Sequence, residues 1–246
     1  MKRILILGGT GEAVSLAERC EEQQDISVIY SLAGRTRSPN LPDCEVRQGG
    51  FGGVEGLTRY LRQNDINAVI DATHPYAAQM ASNALKATAE ISLPYYKFLR
   101  SAWREPAGTA WIYASSAADA AEKIRGRFDR VFLSSGLNDV AAFTALMEIW
   151  FLVRSIEEPP TPMPLHNFIH IKARGPFNED GERALLLDHK IEALVSKNSG
   201  GAATQAKLHA AQALSIPVIM IDRPPVIGDA VFDDQTLLIE QVQQAL

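Results

Sequence analysis

What most constrains the fold of this chain is an alternation. Short, almost unbroken apolar runs of strand length recur, each followed by a longer stretch with helical spacing. "RILIL" (3–7) precedes "EAVSLAERCEE" (12–22), which sets Ala13, Leu16, Ala17 and Cys20 on one helical face. "ISVIYSL" (26–32), "NAVIDAT" (67–73) and "LPYYKFL" (93–99) are further strands, with helices at 54–64 and 76–90. Strands this uniformly apolar have no solvent face. A parallel sheet covered by helices on both sides is the arrangement that asks for them, so the fold class is α/β.

A second series repeats the first, with strands at 130–136, 149–156, 192–201 and 216–222. Helices are expected at 138–148, near 178–189, at 203–214 and in the tail from 236. The economical reading is two similar halves, 1–115 and 116–246, with a ligand cleft between them.

Composition narrows the function classes. With 46% apolar and 22% charged residues the chain is an ordinary globular one. A net charge of −5 argues against a nucleic-acid partner. Residues 1–115 carry 12 basic against 12 acidic residues and the remainder 12 against 17, so an anionic ligand must be held by local cations. The two cysteines, Cys20 and Cys44, form no CxxC pair, which suits a reducing cytoplasm and offers no metal site. "HNFIH" sets two histidines four apart without a third ligand. No run approaches the ~18 apolar residues of a membrane span, and the apolar opening breaks at Gly8, too early for a signal peptide.

The chemistry concentrates at strand-to-helix loops. "GGTG" (8–11) lies between a strand and a helix, where glycines let the backbone approach a phosphate and the helix offers free N–H groups. Glycines alone do not separate such a cradle from a tight turn, and the match to GxGxxG fails at Val14. About 20 residues on, NAD sites place a carboxylate. This chain instead has "YSLAGRTRSP", with Ser31, Gly34, Arg35, Thr36 and Arg37, a set that suits a 2′-phosphate or is simply a solvated basic loop. "QGGFGG" (48–53) sets Gly49, Gly50, Gly52 and Gly53 around Phe51, either a backbone wall against a flat ligand or a plain turn.

"DATHPY" (71–76) ends a buried strand with Asp71, Thr73 and His74, where open α/β sheets bind ligands. His74 is a satisfied structural residue or a proton relay. In the second half, Lys197, Asn198, Ser199, Gly200, Gly201 and Thr204 form an anion site or a capped helix. Lys207 lies one turn further in, and Arg154, Arg174 and Arg223 are additional cations. There is no GxSxG elbow and no GxxxxGK[ST] loop.

In order and spacing, "LILGGTGEA", "SLAGRT", "VRQGGFGG", "DATHPYAAQMASNA", "RGPF", "LVSKNSGGAATQAKL" and "IPVIMIDRP" resemble the precorrin-6A and cobalt-precorrin-6A reductases of cobalamin biosynthesis. The likeness runs along almost the whole chain. It implies two Rossmann-like halves, a cytoplasmic enzyme, and nicotinamide-dependent reduction of one double bond in a tetrapyrrole. Neighbouring corrin-pathway enzymes are the implied protein partners.

On that basis NADPH, with NADH as the second choice, meets Gly9, Thr10, Gly11 and Glu12 at its pyrophosphate. Ser31, Gly34, Arg35 and Thr36 serve its 2′-phosphate, and Gly50, Phe51 and Gly52 form the flat wall. Thr73, Tyr76, Arg174, Asn198, Ser199, Gly200, Gly201 and Thr204 are the substrate contacts. His74 and Lys197 are the candidates for adding the proton. The rival readings are a sugar-nucleotide reductase or epimerase, disfavoured because no Tyr is followed four residues later by Lys, and a non-catalytic NADP-responsive regulator.

Overall fold

The computed structural model describes residues 1–34, 39–107, 111–159 and 162–246. The chain divides into two compact units, the first made of Met1–Ser101 with Pro224–Leu246 and the second of Ala102–Arg223. The division expected at 115/116 therefore moves upstream, and the C-terminal tail returns to the first unit.

In chain order the first unit carries β1 (Lys2–Leu7), α1 (Gly11–Glu21), β2 (Ile26–Leu32), β3 (Glu45–Gln48), α2 (Gly53–Gln63), β4 (Ile66–Asp71), α3 (Ala78–Glu90) and β5 (Tyr95–Phe98). The second unit begins with β6 (Trp111–Ala114), α4 (Ala117–Ile124), β7 (Arg130–Leu133), a 3₁₀ helix (Leu137–Phe143), β8 (Trp150–Ser155) and β9 (Asn167–Lys172). It continues with α5 (Glu179–Asp188), β10 (Ala193–Lys197), a 3₁₀ turn (Ala202–Thr204), α6 (Ala206–Ala213) and β11 (Val218–Ile221). The tail adds β12 (Val231–Phe232) and α7 (Gln235–Ala245) to the first unit.

Each unit is built on one parallel sheet of six strands. The orders are β12-β5-β4-β1-β2-β3 and β6-β11-β10-β7-β8-β9. Both are doubly wound. The chain reverses direction across the sheet between β1 and β4 in the first unit and between β7 and β10 in the second, and ligands of such sheets bind at that crevice.

The apolar strands behave as their composition demands. Along β1, Ile4 and Ile6 pack on α1 and α7, while Leu5 and Leu7 pack on α2 and α3. In the second unit Phe132, Leu152, Leu194 and Met220 pack with Leu186 of α5 and Leu208 of α6. Trp103 is buried in that core.

The helix expected over 138–148 forms only the 3₁₀ segment. The Thr144 hydroxyl donates back to the Ala141 carbonyl at 2.9 Å, a local bond that competes with propagation of the helix.

Among the described residues no helix is long and apolar enough to cross a membrane. Both cysteines lie on the α1 side of the first sheet. Burial pushes the Cys20 thiol up to about 12 and the Cys44 thiol up to about 11. Thiolate is the reactive form, so the native protein should react with a thiol reagent at pH 8 far more slowly than the urea-unfolded chain. Equal rates would contradict this burial. The sign for stability follows: unfolded thiols ionise near pH 9, folded ones later, so these groups weaken the fold as pH climbs through that window.

Candidate functional site

At the β1/β4 crevice of the first unit lies a cavity of about 520 Å³. Its walls come from the ends of β1, β2 and β3, the turn after β4, and the start of α3. Of the residues expected at a coenzyme, Gly9, Ser31, Gly34, Gly50 and Phe51 line it, joined by Gly8 and Gly49. His74, Tyr76 and Thr73 line it as well. Arg35 and Thr36 lie outside the described residues.

The glycines serve different ends. At Gly8 a Cβ would stand 2.2 Å from the Tyr30 ring, and the Tyr30 hydroxyl accepts from the Gly9 N–H at 3.0 Å. That much of the first loop is internal packing. Gly9 and Gly49 have φ of 122° and 112°, a conformation only glycine adopts readily. Gly50 is different, because its φ is ordinary and a Cβ there would meet nothing within 4 Å. Neither backbone nor packing asks for glycine at that wall position. Gly52, at φ 81°, caps α2 from outside the cavity lining, and at Gly56 a Cβ would stand 1.7 Å from the Phe51 carbonyl oxygen.

Thr10, Gly11 and Glu12 do not line the cavity. Thr10 caps α1 by accepting from the Ala13 N–H at 3.1 Å, and Gly11 is the helix's first residue. Glu12 is paired with Arg100 at 2.7 Å. The end of β4 is fixed by a buried network. Asp71 Oδ1 accepts from the Thr73 N–H at 3.0 Å and the Thr73 hydroxyl at 2.6 Å, while Oδ2 takes Tyr95 Oη at 3.0 Å and Lys97 Nζ at 2.8 Å. Burial and the facing carboxylate push the Tyr95 phenol well above its usual range, so it stays a donor. The Thr73 hydroxyl also accepts from Lys97 Nζ at 3.4 Å, which commits it to the network. His74 Nδ1 accepts from the Tyr76 N–H at 3.3 Å, leaving the proton of the neutral ring on Nε2.

Sequence reading passed over Arg47. It stands opposite Ser31 in the β2/β3 register and donates from Nη1 to Ser31 Oγ at 2.8 Å. The same guanidinium donates to the carbonyls of Gly49 and Gly50 at 3.0 and 3.3 Å and lies 3.8 Å over the Phe51 ring. A lone arginine in the polar tetrapeptide "EVRQ" gives no signal; only the strand pairing shows what it faces.

In the second unit Lys197, at the end of β10, is paired with Asp139 at 2.9 Å across the β7/β10 switch point. Asn198 is turned to scaffolding, its Oδ1 accepting from the Trp103 N–H at 2.8 Å and its Nδ2 donating to the Trp103 carbonyl at 3.2 Å. Gly201 contributes its carbonyl to Trp103 Nε1 at 3.1 Å. The Thr204 carbonyl accepts from Lys207 Nζ at 3.0 Å. Ser199 and Gly200 are buried in the turn, and Arg174 is exposed. Arg154 is buried in a bidentate pair with Glu182, stacked 3.8 Å over Phe177, and Arg223 donates to the Asn198 carbonyl at 2.6 Å. The charge of Arg154 is thus taken up by Glu182.

Doubly wound sheets, and a glycine-walled cavity at the switch point of the first, define a Rossmann-like α/β protein. The family model "Precorrin-6x reductase CbiJ/CobK" matches residues 3–245. A precorrin-6A reductase of Rhodococcus erythropolis is 47% identical over 226 residues, 92% of this chain and 91% of that protein. A cobalt-precorrin-6A reductase of Priestia megaterium is 27% identical over 261 residues, covering 99% of this chain and 97% of its own. The solved structure of a CobK precorrin-6A reductase, 38% identical, superposes with a TM-score of 0.93 over 100% of this chain and 97% of its own. The chain belongs to the precorrin-6x reductase family and is an oxidoreductase that uses a nicotinamide coenzyme.

Proposed function

We propose that the protein reduces one ring double bond of precorrin-6A with NADPH held in the first unit's cavity. The observation that carries this reading is Gly50. At a cavity wall where neither φ nor neighbouring atoms require glycine, its bareness serves the approach of something outside the chain. The residues fit a nicotinamide dinucleotide. Gly9 and Gly49 allow close backbone approach, α3 opens at the rim with no side-chain cap, and Ser31 sits at the end of β2 where the adenosine ribose of such a coenzyme belongs. Among the described residues no carboxylate lines the cavity at that strand end, and Arg47 is hydrogen-bonded to Ser31 there, which favours the phosphorylated coenzyme.

When bound, the coenzyme supplies the hydride, and a proton must reach the neighbouring carbon. The chain positions and excludes water. His74, with hydrogen on Nε2 and its ring in the cavity wall, is the residue assigned to hold that proton, and Tyr76 beside it is a substrate contact. Ser199, Gly200, Gly201, Thr204 and Arg174 keep their assignment as substrate contacts, the Asn198 side chain is committed to Trp103, and Lys197, the second proton candidate, is held by Asp139.

Anaerobic turnover of metal-free and cobalt-loaded precorrin-6A with each coenzyme tests the reading. Faster reduction of the metal-free substrate with NADPH is expected; NADPH oxidation with neither substrate would contradict it. His74→Ala should lower kcat about 10²–10⁴-fold, the range of general acid catalysis, with the coenzyme Kd unchanged. An unaltered kcat would remove His74 from the chemistry.

A further inference from the structure

We infer that Arg47 is a positioning residue for coenzyme choice: through the Ser31 hydroxyl and the carbonyls of Gly49 and Gly50, it makes the rim of the cavity selective for a phosphate monoester on the coenzyme's adenosine. This rests on the reading that the first unit's cavity holds the coenzyme.

The geometry is a relay of one hydrogen bond. Arg47 does not line the cavity, but Ser31, Gly49 and Gly50 do, and its guanidinium bonds to all three. Ser31 Oγ is used as an acceptor from a cation, so the hydroxyl's own hydrogen remains to be donated. A hydroxyl whose oxygen already accepts a charged donor is a stronger donor in turn. At the same time the two carbonyls are drawn back to the guanidinium, which keeps their negative ends away from an arriving anion.

The charge is also uncompensated. Among the described residues no carboxylate oxygen comes within ion-pair distance of Arg47; the nearby Glu45 is paired with Arg3 at 2.8 Å. The guanidinium instead rests on the faces of Phe51 and Tyr60, at 3.8 and 5.0 Å from their centroids. Rings hold a cation in place without neutralising it. Desolvation lowers the Arg47 pKa, consistent with a cation that gains from an anionic ligand. Were Arg47 only a clip for the glycine loop, its loss would harm every coenzyme alike.

The experiment is a KM comparison for NADPH and NADH in wild type, Arg47→Ala, Arg47→Lys and Ser31→Ala, with thermal melts of each. Binding of adenosine 2′-monophosphate and adenosine 5′-monophosphate is measured alongside. Arg47→Ala should raise the NADPH KM roughly 10–100-fold, as for loss of a charge-assisted hydrogen bond, with the NADH KM changed less than about threefold. Arg47→Lys should recover part of the NADPH preference, and Ser31→Ala in the Arg47→Ala background should add little, because the two act as one. Binding of the 2′-phosphate should weaken and that of the 5′-phosphate hold. Equal changes for both coenzymes, or none, would overturn the inference and leave the cavity assignment standing. The assignment itself falls if a bulky residue at Gly50 leaves both KM values as they were. Should Arg47→Ala not fold, the lysine and serine variants carry the same comparison.

Discussion

Asp71→Ala is expected to destabilise the first unit by about 3–5 kcal/mol, the usual cost of removing one partner from a buried ion pair. Asp71 is fully buried and accepts four bonds, from Thr73 twice, from Tyr95 and from Lys97. Removing the carboxylate leaves the Lys97 ammonium, 5% exposed, with only the Thr73 hydroxyl at 3.4 Å among the described residues. It also frees the backbone turn that carries Thr73 and His74. Urea titration should show a lower midpoint. The double variant Asp71→Leu with Lys97→Met should cost less than the single, because no charge is then stranded. A loss below about 1 kcal/mol for Asp71→Ala would mean that water reaches this pair, contrary to its burial.

Gly50→Val is expected to separate binding from folding. Gly50 has an ordinary φ and open space where a Cβ would point, so the melting temperature should stay within about a degree, as for a surface substitution. An isopropyl group at the cavity wall should nonetheless raise the KM for NADPH roughly 10–100-fold, about 1.4–2.8 kcal/mol of lost contact. Gly56→Ala provides the opposite case. Its Cβ would collide with the Phe51 carbonyl oxygen at 1.7 Å, so stability should fall with or without ligand. A destabilised Gly50→Val with unaltered coenzyme kinetics would make that glycine a folding residue and remove the main support for the cavity's role.

Much of this architecture was legible because its cause is local. "ILIL" (4–7), "VIY" (28–30) and "AVI" (68–70) are unbroken buried runs, the composition that strands covered on both faces require. The α1 face of Ala13, Leu16, Ala17 and Cys20 was equally readable and is fully buried. The misses share a different cause. β3 ("EVRQ") is polar at three of its four positions and β12 is two residues long, so neither carries an apolar run, and both form on the ladders of the longer strands β2 and β5. The return of the tail to the first unit depends on β12 pairing with β5, a contact 134 residues apart in the Val231–Lys97 register, which no local pattern encodes. Within the site, the loops were found through their glycines. Side chains were harder: Glu12 and Asn198 have the right chemistry for ligands yet answer to Arg100 and Trp103, and Arg47 is visible only through its register with Ser31.

The central claim is that a reduced nicotinamide coenzyme occupies the crevice between β1 and β4. A crystal structure with NADP⁺ tests it most directly. The account predicts density for the coenzyme along Gly9, Ser31 and Gly50, with the phosphorylated ribose at Ser31. Density confined to the Gly200–Gly201 turn of the second unit, with the first unit's cavity unchanged, would contradict it.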